Sequence, residues 1–315
     1  MFFGDWLIYS TLALVCWGGV NVLDSFFVEE EVYENASEGM IVSSLFKILG
    51  TILVGGFFYQ GIFDVGYSNI IFAMSGGALL SSAFWFYFKS AFVYNDLSLV
   101  QIFLNMTIPI VTILGIVFLG EELTLNSYIG IGIVFLGAMS IYFSENIPKV
   151  KLRTVLLLNI PLVILYSLSE LVVRYVEEIK MADFWLIFPW ICMGQFLFGL
   201  VLLFFNRKAV LKNKLFQRVA SGNLKLFVFS EMLELLGLFF MMLAIARTTS
   251  VAFYTVAESF MPIVVVVMTG VSGYLMFVFK KGDSLQNIYK NNHLNGFWLK
   301  AFATTVMAFG IYVIG

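Results

Sequence analysis

The chain has 315 residues, of which 61% are hydrophobic and only 12% are charged. A soluble domain carries roughly 25% charged residues. No soluble fold could bury this much apolar surface, so most of the chain is expected to lie in lipid. The net charge of −2 does not favour a nucleic-acid partner.

Apolar runs of about twenty residues, the length that crosses a hydrocarbon core, predict ten transmembrane helices. They cover residues 5–28, 39–60, 69–93, 98–119, 125–144, 153–176, 183–206, 224–246, 250–279 and 294–314. Helices are expected because a backbone in lipid must satisfy its own hydrogen bonds, and the alternation typical of a barrel is absent. The first run is interpreted as a span and not a cleaved signal, since no basic segment precedes it.

A stretch of the chain occurs twice. Residues 91–115 can be laid over residues 244–268 at one constant offset, which places Pro109 on Pro262. Each copy has a polar residue four positions before its proline, Asn105 and Glu258. We therefore predict an all-α membrane protein of two five-helix repeats, 1–148 and 149–315, around a central cavity. An odd number of spans in each repeat makes the two repeats inverted.

Lys and Arg are concentrated in the loops after predicted helices five, seven and nine, which lie on one face by parity. The positive-inside rule makes that face cytoplasmic and places both termini outside. We expect a multi-pass protein of the cell membrane, with an organelle membrane as the alternative, that acts as a monomer or homodimer within the lipid bilayer.

Three segments resemble the drug/metabolite transporter superfamily, in its EamA-like family. They are the Trp-Gly-Gly at 17–19, the FLGEELT at 118–124 that follows Pro109, and the glycine-rich IGIGIVFLGAM at 129–139. The resemblance implies ten helices in two inverted repeats that move small organic solutes. It also implies that helices five and ten serve packing or dimer contacts. The second half departs from the family pattern, because Ser272-Gly273-Tyr274 stands where a Gly-Glu is expected. Many family members have cytoplasmic termini, contrary to the orientation that the charges predict.

Four acids lie deep in predicted spans, and each costs about 2.5–3.5 kcal/mol or more at a helix centre. They are Glu170, Glu231, Glu234 and Glu258. Glu231 and Glu234 are three residues apart and share a helix face, which favours a proton-coupling site or a cation site. The alternative is that some acids form structural ion pairs with Lys47, Lys89 or Arg174. Lys47 is expected to pair with Glu170 or with Asp24, and Asp24 is expected at the interface.

The candidate solute site combines acids, amides and aromatic rings. An acid one turn from an aromatic ring, as Glu258 is from Tyr254, suits an ammonium group. The predicted substrate-binding residues are Glu258, Tyr254, Asn105, Glu170, Asn21, Trp17, Lys89 and Trp85. Tyr87 and Tyr166 are further candidates for the cavity wall. Plain packing is the alternative for each aromatic residue, and snorkelling to the interface is the alternative for Lys89.

Pro109 and Pro262 are predicted hinges, because each removes a helix hydrogen bond and frees the carbonyl four residues earlier. The alternative is a plain kink. Glu121, at the end of helix four, is unfavourable to the helix dipole and is expected to have a partner. Gly130, Gly132, Gly137 and Gly310 are expected to allow close helix contacts.

These features predict a secondary transporter, not an enzyme. It would move an amino acid, amine or other zwitterionic or cationic solute by alternating access, with protons as the candidate coupling ion. No GxxxxGK[ST] loop indicates direct use of ATP. A nucleotide-sugar or organic-phosphate exchanger is the alternative, although it would need clustered basic residues at the midplane. An intramembrane lipid-modifying enzyme is the less favoured alternative, because this chain lacks the HExxH and GxSxG motifs. We expect no cofactor or metal, since Cys16, Cys192 and His293 stand alone.

Overall fold

The computed structural model describes residues 4–29, 32–58, 60–94, 100, 103–141, 152–178, 180, 183–221, 224–279 and 297–314. Every regular element in them is a helix, so the all-α prediction is confirmed for these residues. The elements are α1 (Asp5–Glu29), α2 (Ala36–Phe46), α3 (Ile48–Phe57), α4 (Tyr67–Tyr94), α5 (Thr107–Leu114), a π-helical turn (Gly115–Leu119), α6 (Leu125–Ile141), α7 (Leu152–Glu178), α8 (Phe184–Lys212), α9 (Leu215–Ser221), α10 (Leu224–Arg247), α11 (Val251–Glu258), α12 (Met261–Phe279) and α13 (Phe297–Ile314).

Seven helices of the described ranges are long and apolar enough to cross a membrane. They are Asp5–Asp24, Ala36–Phe57, Tyr67–Val93, Arg153–Glu177, Phe184–Lys212, Leu224–Arg247 and Val251–Met268. Three further apolar helices are shorter: Thr107–Leu119, Leu125–Ser140 and Ala301–Ile314. The chain thus has the helices of a multi-pass membrane protein. The predicted boundary near Pro148 and the loop with His293 lie outside the described residues.

Two spans are interrupted just before their prolines. A turn at Asn105-Met106 precedes α5, and a turn at Ser259-Phe260 precedes α12. Pro109 and Pro262 therefore lie in the first turn of a new helix, where a missing N–H costs nothing. The expectation of a free carbonyl on Asn105 is wrong, because that oxygen accepts a hydrogen bond from the Ile108 N–H at 3.2 Å. The carbonyl is used within the turn that the proline begins.

A third interruption has no proline. The second span divides into α2 and α3 at Lys47, whose N–H donates to the Ser44 carbonyl at 3.2 Å. Neither glycine nor proline stands at this position, so local conformational preference does not explain the break. The backbone of Lys47 stays in the right-handed helical region, with φ of −62° and ψ of −16°, so the interruption is slight.

The helices pack in a small number of extensive pairs. α1 packs along α10, α4 along α7, and α6 along α13, while α8 contacts α2, α3 and α4. Short side chains permit the closest approaches. A Cβ at Gly77 would lie 2.0 Å from the Ile191 carbonyl oxygen, and one at Gly194 would lie 2.0 Å from that of Met74. α4 and α8 are thus in backbone contact.

The glycines of α6 and α13 have a related role. A Cβ at Gly130 would lie 2.6 Å from the Gly310 carbonyl oxygen, and a Cβ at Gly137 would lie 2.7 Å from Met307. Gly130, Gly137 and Gly310 therefore bring α6 and α13 together within one chain. Gly132 differs, because its Cβ would meet nothing within 4 Å.

Candidate functional site

A cavity opens between α1, α2, α4 and α10. It is lined by Trp17, Val20, Asn21, Asp24, Met40, Ser43, Phe84, Tyr87, Phe88 and Glu234. The residues from α1 lie on one face, because Trp17, Asn21 and Asp24 follow the four- and three-residue spacing of a helix. The cavity therefore combines two carboxyl groups, one amide and several aromatic rings.

The tryptophan-glycine-glycine of α1 positions this wall. Trp17 faces the cavity, and a Cβ at the opposing Gly237 of α10 would lie 3.1 Å from its Nε1. A Cβ at Gly18 would lie 2.7 Å from Val264 of α12. Both glycines therefore allow the neighbouring helices to approach α1 closely, as small residues do in membrane bundles.

Asn21 is held firmly in the cavity wall. Its Nδ2 donates to the Trp17 carbonyl at 2.8 Å, and its Oδ1 accepts from the Tyr87 hydroxyl at 2.5 Å. Asn21 and Trp17 were both predicted as substrate-binding residues, and the structure brings them together with Tyr87. The amide is oriented by α1 and α4 jointly.

Lys47 forms the base of a charged cluster beside the cavity. Its Nζ lies 2.9 Å from Glu234 Oε1 and 3.3 Å from Glu231 Oε2, and the lysine is 1% exposed. Ser43 donates to Glu234 Oε2 at 2.7 Å. The predicted partners of Lys47, Glu170 and Asp24, are therefore wrong. Both acids of α10 are neutralised in part by one lysine, which stands at the break between α2 and α3.

Asp24 is the cavity acid without such a partner. Among the described residues it makes no ion pair and accepts no hydrogen bond, and it is only partly buried. It lines the cavity with Glu234, and the first membrane-length segment ends at Asp24, so its expected place at the membrane interface stays a prediction. A solute cation could approach this carboxylate without displacing a protein group.

Aromatic rings cover the cavity toward the α1–α2 loop. Phe88 lines the cavity, and its ring meets the Tyr33 ring edge-on at 6.4 Å; Tyr33 in turn meets Phe27 at 5.7 Å. Burial, with further contributions from Glu231, Asp24 and Glu234, raises the pKa of the Tyr33 phenol well above its usual range. This phenol lies outside the spans and stays neutral.

Charged residues lie beyond these rings. Arg218 of α9 pairs with Glu34 at 2.9 Å and with Glu38 at 2.6 Å, and Asn213 donates to Glu38 at 2.9 Å. Glu38 is 1% exposed and so is removed from water, while the Arg218 and Glu34 side chains are partly exposed. This contact ties the start of α2 to the segment between α8 and α10.

A second polar cluster joins α7 to α11. The Tyr166 hydroxyl donates to Glu258 Oε1, and the Thr255 hydroxyl donates to Glu170 Oε2 at 3.3 Å. Tyr166 and Glu170 are one turn apart, as are Thr255 and Glu258, so two helix faces exchange crossed hydrogen bonds. Glu170, Glu258 and Tyr254, predicted from the sequence as one site, are brought together here.

Phe84 lies between the cavity and the second polar cluster. Its ring centroid lies 5.3 Å from that of Trp17 and 6.1 Å from that of Tyr87 on the cavity side. The ring of Tyr166 in the second cluster lies 6.0 Å away. One phenylalanine ring therefore contacts aromatic side chains of the cavity wall and of the second polar cluster.

Lys89 and Trp85 lie apart from the cavity lining. The Lys89 ammonium stands 3.3 Å from the centroid of the Trp85 ring, and the Trp85 indole donates to Ser37 at 3.1 Å. The structure thus offers a cation–π contact for this lysine. Their predicted role in binding a solute stays a prediction. Asn105 is buried, and its Nδ2 has no hydrogen-bond partner in the described part of the chain.

Glu121 has the partner that its position required. Its carboxylate accepts the Ser250 hydroxyl at 2.5 Å and the Val251 N–H at 3.0 Å, which is the first residue of α11. The π-helical turn ends at Gly120 with φ of 69°, a conformation that favours glycine. The Gly-Glu pair therefore turns an acid onto the positive end of another helix.

Several site residues were not found from the sequence. Ser43 and Phe84 are the main cases, and Thr255 is another. A helical spacing was available for part of the cavity, since Phe84, Tyr87 and Phe88 follow it on α4 as the α1 residues do. The pairing of these faces across helices had no local signal.

The comparisons with known proteins concern the fold alone. No protein-family model matches the chain, and no curated protein matches it. A solved crystal structure, described only as that of a protein, is 13% identical with a TM-score of 0.59 and covers 99% of this chain and 97% of its own. The chain therefore shares its fold over nearly its full length with a solved structure.

Proposed function

We propose that this chain is a secondary transporter of a small cationic or zwitterionic solute, which moves by alternating access. The observation that carries the proposal is the cavity between α1, α2, α4 and α10, with Asp24 and Glu234 among aromatic rings. Buried acids are costly in a bilayer, and they mark solute or ion pathways. The resemblance of three segments to the drug/metabolite transporter superfamily leads to the same class.

The proposed architecture is ten spans in two inverted repeats. The seven long helices and three shorter apolar helices supply ten segments in the predicted order. Helix pairing supports the repeat. If predicted spans one to five correspond to spans six to ten, then α1 corresponds to α7 and α4 corresponds to α10. The packing of α1 along α10 then corresponds to the packing of α7 along α4. Likewise the contacts of α1 with α11 and α12 correspond to those of α7 with α5. The contact of α4 with α8 is more extensive than its counterpart of α10 with α2.

The lining of the cavity favours an ammonium group as the recognised part of the solute. Asp24 offers a carboxylate without an ion pair among the described residues, while Trp17, Phe84 and Phe88 offer ring faces or edges. Carboxylates and aromatic faces both attract organic cations. Asn21 and Tyr87 supply polar groups that can orient a zwitterion.

The exchanger of nucleotide sugars or organic phosphates is less well supported. Such a solute needs unpaired basic residues near the midplane. The deep lysine beside the cavity, Lys47, is already engaged by Glu231 and Glu234. An anion would have to compete with two carboxylates for it.

Flux into proteoliposomes tests the proposal. Radiolabelled amines, amino acids and nucleotide sugars would be compared for uptake by the full chain. We expect an amine or amino acid to be taken up, and Asp24→Asn to reduce its uptake about tenfold or more, since losing a charged hydrogen-bond partner costs roughly 1.5–3 kcal/mol.

Glu122→Gln is the matched control, because Glu122 is an exposed acid at the end of the fourth predicted span. Its uptake should equal that of the unaltered chain. Uptake of none of the three solute classes would overturn the proposed function. Uptake of nucleotide sugars alone would replace it with the exchanger.

A further inference from the structure

We propose that Glu170 and Glu258 form a proton-binding carboxyl pair that is separate from the solute cavity. The proposal rests on the proposed transport function, and it names the site where the coupling proton is held. The pair lies between α7 and α11, whereas the cavity acids Asp24 and Glu234 lie between α1 and α10.

Geometry places the two carboxyl groups in one helix interface. Tyr166 of α7 donates to Glu258 of α11, and Thr255 of α11 donates to Glu170 of α7. Tyr166 and Glu170 are separated by one turn of their helix, as are Thr255 and Glu258, so the crossed bonds hold both carboxyl groups in the same interface.

The pair has no cation to balance it. Within the described residues, neither Glu170 nor Glu258 has a lysine, arginine or histidine at ion-pair distance. The titratable groups that face them are each other, Tyr166 on α7 and Tyr254 on α11. On α10, Glu231 and Glu234 are engaged with Lys47, which stands between α2 and α3, and Lys225 and Arg247 lie at the two ends of that helix. On α1 and α4, Asp24 and Tyr87 line the cavity.

One oxygen of Glu170 calls for a ligand. Glu170 is 0% exposed, and its Oε1 has no hydrogen-bond partner in the described part of the chain. A buried carboxylate oxygen without a donor is costly. A proton lowers the cost directly, because a neutral carboxylic acid is less costly to bury than a carboxylate.

A proton fits this place better than a metal ion does. Calcium takes six to eight oxygen ligands, and only two carboxyl groups meet here. No group of three or more His, Cys, Asp or Glu that could hold a metal occurs among the described residues. The chemistry is then a simple balance: water on one face supplies the proton to the carboxylate, and water on the other face receives it.

Phe84 accounts for communication between the pair and the cavity. The ring contacts Trp17 of the cavity and Tyr166, which holds Glu258. A solute that displaces the rings of the cavity therefore acts on a residue that touches the proton site. The solute in the cavity and the proton on the carboxyl pair can therefore influence each other although they occupy separate sites.

Infrared difference spectroscopy of the purified full chain tests the site with the proton itself as the probe. We expect a protonated-carboxyl band that titrates with pH and shifts in D₂O. The band should be lost in the double variant Glu170→Gln with Glu258→Gln and retained in Glu122→Gln. Retention of the whole band in the double variant would overturn the proposal.

A second variant keeps both acids. Tyr166→Phe removes the hydroxyl that donates to Glu258, so the band should remain but change its frequency; an unchanged frequency would contradict the assignment. In proteoliposomes, each single glutamine variant should lose about tenfold or more of uptake driven by a pH gradient, within the usual range of coupling energies. Exchange of solute at equal pH should persist.

If the single variants keep both the uptake driven by a pH gradient and the exchange at equal pH, the coupling role is overturned. Failure of the unaltered chain to move any solute would overturn the proposed function instead, and the infrared band would still decide whether the carboxyl pair holds a proton.

Discussion

At the scale of the residue, the deep acids divide into two kinds. Glu231 and Glu234, predicted as the proton-coupling pair, share the ammonium of Lys47. Glu170 and Glu258, predicted as substrate ligands, receive neutral hydroxyl donors instead. Both roles remain predictions. The geometry favours the exchange of roles that we propose, because a lysine already compensates one pair.

Replacement of Lys47 tests the structural side of this division. Lys47→Met should destabilise the chain by about 3–5 kcal/mol, because it leaves two buried carboxylates without their cation. Adding Glu231→Gln and Glu234→Gln should restore much of that loss. Thermal unfolding of the purified chains measures both, with Lys208→Met on the exposed part of α8 as the control. A Lys47→Met chain as stable as the control would contradict the prediction.

At the scale of the element, the predicted spans agree with the observed helices where apolar length decides the outcome. The first, sixth and eighth predicted spans match α1, α7 and α10 to within a few residues at each end. The prolines indicated where the fourth and ninth spans are interrupted. The break at Lys47 had no local signal, because neither glycine nor proline stands there; it coincides with the contact of Lys47 with α10.

The packing of α4 against α8 is highly sensitive to side-chain size. Gly194→Ala should lower the free energy of unfolding by roughly 1–3 kcal/mol or more, since the added methyl group would overlap a backbone carbonyl of α4 that cannot shift without moving the helix. Gly132→Ala is the matched control, because its Cβ meets nothing within 4 Å and alanine favours a helix over glycine. Thermal midpoints should fall for Gly194→Ala alone. Equal midpoints would show that the two helices separate easily.

At the scale of the whole molecule, polar contacts close the bundle at both ends. Arg218 with Glu34 and Glu38 lies near the α1–α2 loop, while Glu121 holds the start of α11 at the other end. The aromatic layer of Tyr33 and Phe88 lies between Arg218 and the cavity. Alternating access would require one of these ends to open at a time.

Loss of the Arg218 contact should open the cavity on its side. The reporter is Met40→Cys, on the cavity wall, in a background without Cys16 and Cys192. Arg218→Gln should raise its labelling by a water-soluble thiol reagent about tenfold or more, as expected from losing charged hydrogen bonds of roughly 1.5–3 kcal/mol.

Two controls accompany this measurement. Arg207→Gln removes an exposed arginine of α8 that makes no ion pair in the described ranges, and Ile41→Cys places the reporter at a buried residue outside the cavity lining. The Met40→Cys reporter should not gain labelling when Arg207→Gln is introduced, and the Ile41→Cys reporter should not gain labelling when Arg218→Gln is introduced. Unchanged labelling of Met40→Cys in the Arg218→Gln chain would show that this contact does not close the cavity.

The sequence by itself determines that the chain forms apolar helices, roughly where they begin and end, and which of their residues are too polar for lipid. These properties are local, since they depend on the length of apolar runs and on single side chains. Only the tertiary structure decides that Lys47 meets Glu231 and Glu234, that Asp24 enters a cavity, and that Tyr166 holds Glu258. Such pairs join residues far apart in the chain, and close packing of helices, with its dependence on small residues such as Gly77 and Gly194, selects them.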